Sequence, residues 1–280
     1  MCTTVFLSCA DDCIGRFDTS MLSQQTLMEL FIFGFDNVEN ICGSRDDPRD
    51  VCTWEGVKCN TEGEVVGFTW SYMNDGEGGT GTIAFKFVPC TMTDISMCEN
   101  ALSGTLTLAD LKDGMELLSL DYNNLSGPLS LNDLPRLMQR VNLSENSFTG
   151  EVSLTGLPRC LQALYLGRNQ LSGAICLTSL PHTLRFLNLS ENTFDGSLNL
   201  TRLPENIRSI VLCENMFSGE IDVRHLPKSL TELDVRKNRL CGTVCTPPGV
   251  HCWDGMVQTD RLFDGNTNLT VFGPYGRHEA

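Results

Sequence analysis

At 280 residues, 41% of them hydrophobic, the chain can bury a sizeable core; its formal charge of −15 speaks against nucleic acid or an anionic membrane surface as a partner. The charge is uneven: residues 1–100 hold 5 basic and 16 acidic side chains, a net of −11, and residues 101–280 hold 15 and 19, a net of −4. No apolar run approaches the ~20 residues of a membrane helix, so membrane insertion is not expected.

Met1–Asp12 has a short apolar patch, Val5-Phe6-Leu7, with no basic residue before it, which makes a poor secretory signal. Over Thr19–Phe35 the residues Met21, Leu22, Leu27, Leu30 and Phe31 recur at helical spacing, which predicts a helix lying across one end of the array that follows. The fourteen cysteines crowd toward the ends, eight before residue 101 and Cys241, Cys245 and Cys252 near the other end. Cys52 and Cys59 are compatible with a disulfide, with reduced core thiols or with metal ligation. Asn74–Thr80 is a glycine-rich insertion, and its Gly76-Glu-Gly78-Gly79-Thr-Gly81 run lacks the Gly-Lys-Ser/Thr of a phosphate loop.

From Leu102 the sequence repeats every 23 residues without a gap. Each row is headed by a bulky apolar residue, Leu102, Leu125, Phe148, Leu171, Phe194, Phe217 and Leu240, with glycine two positions later. Two positions before each head stands asparagine: Asn100, Asn123, Asn146, Asn169, Asn192, Asn215 and Asn238. Apolar residues five and three before each asparagine, such as Leu118/Leu120 and Leu164/Leu166, mark a short strand with one buried face. The asparagine turns the chain inward, where its amide can donate and accept, so a stack of such residues can pair loop backbone groups that burial would orphan. Leu-Pro at 134–135, 157–158, 180–181, 203–204 and 226–227 marks the opposite, convex side, where proline stops a helix from extending. Eight strands at about 4.8 Å spacing would form a parallel sheet about 34 Å wide.

The outward side chains of that sheet are the candidate binding surface. Leu117, Arg140, Asn142, Tyr165, Phe186 and Val211 stand six or four before their asparagines, and Tyr122 and Arg168 one before. Tyrosine and arginine are favoured anchors at binding hot spots, and apolar residues facing water on a sheet call for a reason. Past Cys252 the tail fits no repeat, and Phe263-Asp-Gly-Asn266 suggests a small hairpin.

The pattern L-x-x-L-x-L-x-x-N-x-[LF]-x-G resembles the leucine-rich-repeat family, and the following G-x-[ILV]-x-L its plant-type subclass, over roughly residues 65–245. Cys52-Thr-Trp54-Glu-Gly56-Val57-Lys-Cys59 is similar to the C-x-W-x-G-V-x-C signature of that subclass's N-terminal cap, and Asn238-Arg-Leu240-Cys241-Gly242 with Cys245 looks like its C-terminal cap. The resemblance implies an α/β, right-handed solenoid with a parallel concave sheet of about eight strands, short second strands or irregular convex segments and a helical cap. It divides the chain into a cap (1–64), repeats (65–240) and a C-terminal cap with tail (241–280). It also favours a disulfide for Cys52 with Cys59 and disulfide use of Cys241, Cys245 and Cys252, the last three over a zinc site with His251, since the usual paired Cys and His spacing is absent.

The function so implied is non-catalytic recognition of a protein or peptide partner on the concave face, outside the cell or at its surface. Two alternatives stand beside it: glycan binding by stacking on Tyr122, Tyr165 and Phe186, and a structural subunit of a larger assembly, cytoplasmic in location. No cofactor or metal is expected, and His182, His225, His251 and His278 have no nucleophile partner in sequence. Five glycosylation sequons, at Asn124, Asn142, Asn188, Asn199 and Asn268, follow largely from the repeat's own Asn-Leu-Ser.

Overall fold

A computed structural model describes residues 19–36, 38–71 and 79–273. The apolar patch near residue 5, Cys2, Cys9, Cys13, His278 and most of the glycine-rich insertion lie outside the described residues.

Each 23-residue row forms one coil, because its two apolar residues per strand and its apolar head all point to one side. The coils stack through a sheet of nine strands, running from Val57–Cys59 and Val65–Thr69 to Ser209–Val211 and Glu232–Asp234. Eight of them are parallel in unbroken register, as in Leu118↔Val141 and Leu164↔Leu187; Val57–Cys59 joins antiparallel to Val65–Thr69. Heads such as Leu125, Phe148, Leu171 and Phe217 are fully buried. Just past each head the chain pairs again, forming a second, six-stranded sheet from Thr80–Thr82 to Thr193–Asp195 along the flank. Short 3-10 turns at Leu131–Asp133 and Leu177–Ser179 precede Leu-Pro segments on the convex side, and Leu108–Asp110 takes the same place before Leu111.

The asparagines tie coil to coil. Asn169 Oδ1 accepts from the Phe148 N–H at 3.0 Å, and its Nδ2 donates to Leu143 O at 3.0 Å, both in the preceding coil. Asn123, Asn146, Asn192, Asn215 and Asn238 repeat both bonds, and Asn100 bonds Gly79 N and Trp70 O in the same manner. The residue before each asparagine adopts left-handed backbone: Glu99, Tyr122, Glu145, Arg168, Glu191, Glu214 and Lys237 have φ between 50° and 57°. Seven non-glycine residues accept a conformation that costs each about 1–2 kcal/mol, which fixes the sharp turn that brings the amide inward.

At the N-terminal end the predicted helix is shorter than its periodicity suggests. Ser23 caps Gln24–Ile32 by accepting from Thr26 N, and Thr19–Met21 is a separate 3-10 turn with Met21 84% exposed. The helix covers the first coil: Phe31 packs edge-on against Phe35 and Phe68, with centroids 5.6 and 5.8 Å apart, and Phe35 stacks on Trp70 at 4.9 Å. Gln24 stitches it to the sheet, donating to Gly63 O at 2.6 Å and accepting from Val65 N at 2.9 Å. A disulfide joins Cys52 and Cys59 beneath it.

The C-terminal end departs from expectation in two ways. Cys241, Cys245 and Cys252 are free thiols. Cys241 and Cys245 stand four apart in one strand, Arg239–Cys245, about 13 Å along an extended backbone and beyond disulfide reach, while Cys252 sits in a separate hairpin with its sulfur against Thr259 Oγ1 at 3.3 Å. The second departure is the tail, where Phe263–Asn266 is no hairpin but the turn of one more coil. Asn266 takes the ladder role, accepting from Leu240 N and donating to Val235 O at 3.0 Å each, and Gly265 supplies the left-handed residue before it at φ 79°. The strand Asn268–Phe272 then pairs parallel with Arg239–Cys245 on the flank. The spacing Asn238 to Asn266 is 28 residues rather than 23, and the excess is taken up by the true hairpin, Cys252–Asp254 with Val257–Thr259.

Candidate functional site

The concave sheet presents two rows of outward side chains, because the residues on either side of each buried strand centre must point away from the core. Register aligns Leu117, Arg140, Ala163, Phe186 and Ser209 in one row, and Ser119, Asn142, Tyr165, Asn188 and Val211 in the other. Leu117, Asn142, Tyr165, Phe186 and Val211 are half-buried, and Arg140 is exposed. Tyr165 and Phe186 lie diagonally on adjacent strands, a relation that puts Cα atoms about 7–8 Å apart, within reach of aromatic rings. Burial pushes the Tyr165 phenol above its ordinary range, Glu232 adds to the shift, and the positive charge of Arg140 opposes it.

Tyr122 and Arg168, expected on the sheet, stand instead on the rim at the left-handed positions past the strand ends. Arg168 is not a free guanidinium there. Its Nε pairs with Glu191 at 2.7 Å in the next coil, and its Nη1 with Glu145 in the coil before. Both carboxylates raise the Arg168 pKa further above its ordinary value. Tyr122 is 52% exposed, and the adjacent Glu145 raises its pKa. Between sheet and rim runs a hollow of about 360 Å³, bounded by Tyr122, Asn142, Glu145, Arg168, Asn188 and Glu191. The Asn142 and Asn188 amides are turned to the backbone, accepting from Ser144 N at 3.2 Å and Ser190 N at 2.9 Å. The structure thus gathers six of the eight candidate residues on the sheet and sets the other two across this hollow.

Among the described residues no group of three or more His, Cys, Asp or Glu is placed to hold a metal ion, and no helix is long and apolar enough to cross a membrane. His251 bonds Asp260 at 2.6 Å in the C-terminal hairpin region, away from the sheet centre.

No protein-family model and no curated protein matches the sequence, but solved structures match the fold. The Arabidopsis receptor kinase HAESA, in complex with the peptide hormone IDA and the co-receptor SERK1, superposes with a TM-score of 0.55 at 22% identity, covering 80% of this chain and 40% of that one. PEPR1-AtPEP1 gives a TM-score of 0.54 at 18% identity over 89% of this chain and 42% of that one. A plant ice-binding protein gives 0.54 at 20% identity over 92% and 97%. The fold is a leucine-rich-repeat solenoid. This chain spans less than half of the two receptor structures and nearly the whole length of the ice-binding one. In the leucine-rich-repeat frame, sequence reasoning found the sheet rows but missed the charged stack at the rim. Its signal was present: glutamate, arginine and glutamate occupy the same column in three successive rows at positions 145, 168 and 191.

Proposed function

We propose that this solenoid is a non-catalytic recognition module that holds a protein or peptide partner on its concave face, outside the cell or at its surface. One observation carries the reading. Across the sheet's outward rows Leu117, Tyr165, Phe186 and Val211 stand half-buried, at positions where solvent exposure alone would favour polar residues. Apolar and aromatic side chains fixed on rigid strands lose little freedom on binding, which suits an anchor surface. The Cys52–Cys59 disulfide supports an oxidising compartment. The HAESA receptor kinase, solved with a peptide hormone and a co-receptor bound, is consistent with that class of partner.

The test is capture followed by mutation. Wild-type chain and a Tyr165→Ala/Phe186→Ala double variant, both checked for folding by circular dichroism, are immobilised and exposed to secreted protein and peptide fractions. A partner retained by the wild type and lost from the variant supports the reading. A partner retained equally by both places recognition on another surface and refutes it.

A further inference from the structure

The negative charge of this chain is not spread evenly around its coils. On the rim past the strand ends, Glu99, Glu145, Glu191 and Glu214 share one column with Arg168 between them. Where the strands begin the sign reverses: Arg136, Arg140, Arg159, Arg185, Arg208 and Lys228 are all exposed. Among the described residues none of these six forms a salt bridge, whereas Arg168, Arg224, Arg236, Lys237 and Arg261 all do. Carboxylates are few on the basic strip. Glu116 receives the Gln139 amide at 2.7 Å, Glu232 is bonded by Ser209, and Glu205 is exposed.

The column just before the strands shows the contrast most plainly. Its backbone stacks in register, with Gln139, Gln162, Arg185 and Arg208 each donating to the preceding member at 2.8 Å. The side chains of the first members form a relay, in which Gln162 donates to Gln139 at 3.2 Å and Gln139 to Glu116 at 2.7 Å. At Arg185 the relay stops. Arg185 and Arg208 are like charges on neighbouring coils, about 4.8 Å apart along the stack, and such pairs are destabilising unless an anion lies between them. Arg136 and Arg159 flank a separate hollow of about 520 Å³ toward the convex side, lined by Leu134, Leu157 and Pro158.

We infer that this basic strip anchors an acidic segment of a protein partner, whose carboxylates engage Arg185 and Arg208 while its intervening apolar side chains lie on Phe186 and Val211. Guanidinium groups offer the planar fork that fits a carboxylate in two bonds. Phe186 follows Arg185 directly in the chain, so charge and apolar surface meet at one strand entry. A sulfated polysaccharide or a nucleic acid backbone would satisfy the arginines through its anions alone and leave Phe186 and Val211 wet, whereas an acidic segment with apolar side chains between its carboxylates covers both. The inference rests on the concave-face reading and adds to it the chemistry of the ligand.

Fluorescence anisotropy tests it with the full chain and a labelled synthetic peptide alternating glutamate with leucine and phenylalanine. The same peptide carrying lysine for glutamate, a heparin fragment and a DNA duplex serve as competitors or alternative probes. The acidic peptide should bind, its affinity should fall with salt, and Arg185→Glu/Arg208→Glu should weaken it at least about tenfold. Phe186→Ala should weaken it severalfold. Loss in the Phe186 variant with full binding by the arginine variant overturns the basic anchor and leaves the concave face standing. Loss in the arginine variant alone keeps the anchor and removes the concave face. Preference for heparin or DNA over the acidic peptide, or no binding of the acidic peptide, overturns the inference. The gentler Arg185→Gln/Arg208→Gln variant, expected to lose binding in the same direction, stands in if charge reversal disturbs folding.

Discussion

Replacing Asn169 by alanine is the sharpest test of what holds the coils together. Its amide oxygen receives the Phe148 N–H at 3.0 Å, and its nitrogen donates to Leu143 O, Leu166 O and Gly167 O at 3.0, 3.1 and 3.3 Å. The three carbonyls have other donors: Asn146 reaches Leu143 O at 3.3 Å, Asn192 reaches Leu166 O at 2.9 Å, and the Glu145 N–H reaches Gly167 O at 3.0 Å. The Phe148 N–H is left without an acceptor at a buried position. An orphaned buried donor costs about 1–3 kcal/mol, and three weakened carbonyl bonds add about 0.5 kcal/mol each, for a total of about 3–4 kcal/mol. At about 2 °C per kcal/mol for a chain of this size, Tm should fall by about 6–8 °C. Thermal and urea unfolding followed by circular dichroism measure both quantities. Asn169→Asp keeps an acceptor for Phe148 but sets a carboxylate against three carbonyl oxygens, so it should cost at least as much. A loss below about 1 kcal/mol for Asn169→Ala, the scale of an ordinary surface change, would show that the ladder follows the fold without holding it.

Three further outcomes are expected. Glu99, at φ 55° and without a salt bridge among the described residues, should gain about 0.5–1 kcal/mol of stability on Glu99→Gly, since the left-handed cost exceeds the added freedom of the unfolded chain; denaturant midpoints check this. Cys52→Ser removes the cross-link of a short loop and should cost about 2–3 kcal/mol, read as a lower Tm matched by wild type in reductant. Burial, chiefly, with Asp234 in support, pushes the Cys213 thiol up to about 12, whereas hydroxyl donors from Thr178 and Ser179 lower that of Cys176. A thiol reacts as thiolate, so at pH 8 mass mapping after brief maleimide treatment should find Cys176 labelled well ahead of Cys213; equal labelling would contradict the assigned surroundings.

The interior of this protein is legible in its sequence because every coil solves the same problem. A buried strand centre, a buried head and an inward amide must recur at one period, so Leu118, Leu125 and Asn123 foretell Leu164, Leu171 and Asn169. The surface carries no such constraint. Tyr122 and Arg168 look like sheet residues by spacing, yet the backbone turns left-handed just there, because the asparagine can reach the preceding coil only after a sharp bend. The same rule explains the tail. Gly265-Asn266 holds the two residues that the turn requires, but five extra residues break the period, and a reading by columns loses it.

The Asn266 coil is held to the array differently from the N-terminal helix. A stack of identical coils leaves one row of backbone donors and one apolar face open at each end, and a polar covering is needed for solubility. At the N-terminal end the covering is foreign to the repeat: a helix laid across Phe68, with Gln24 supplying the hydrogen bonds. The other end uses the repeat itself. Asn266 satisfies Leu240 N as any ladder asparagine would, Leu262 and Phe263 bury against the last regular coil, and the Cys252–Thr259 hairpin projects from the strand side with Met256 97% exposed. Among the described residues no disulfide ties this coil to its neighbour, and the hydrogen bonds that join the regular coils hold it in place. Truncation before Leu262 should expose the Leu240 coil and destabilise the C-terminal repeats, whereas Cys241→Ser/Cys245→Ser should leave the unfolding midpoint within about 0.5 kcal/mol of wild type.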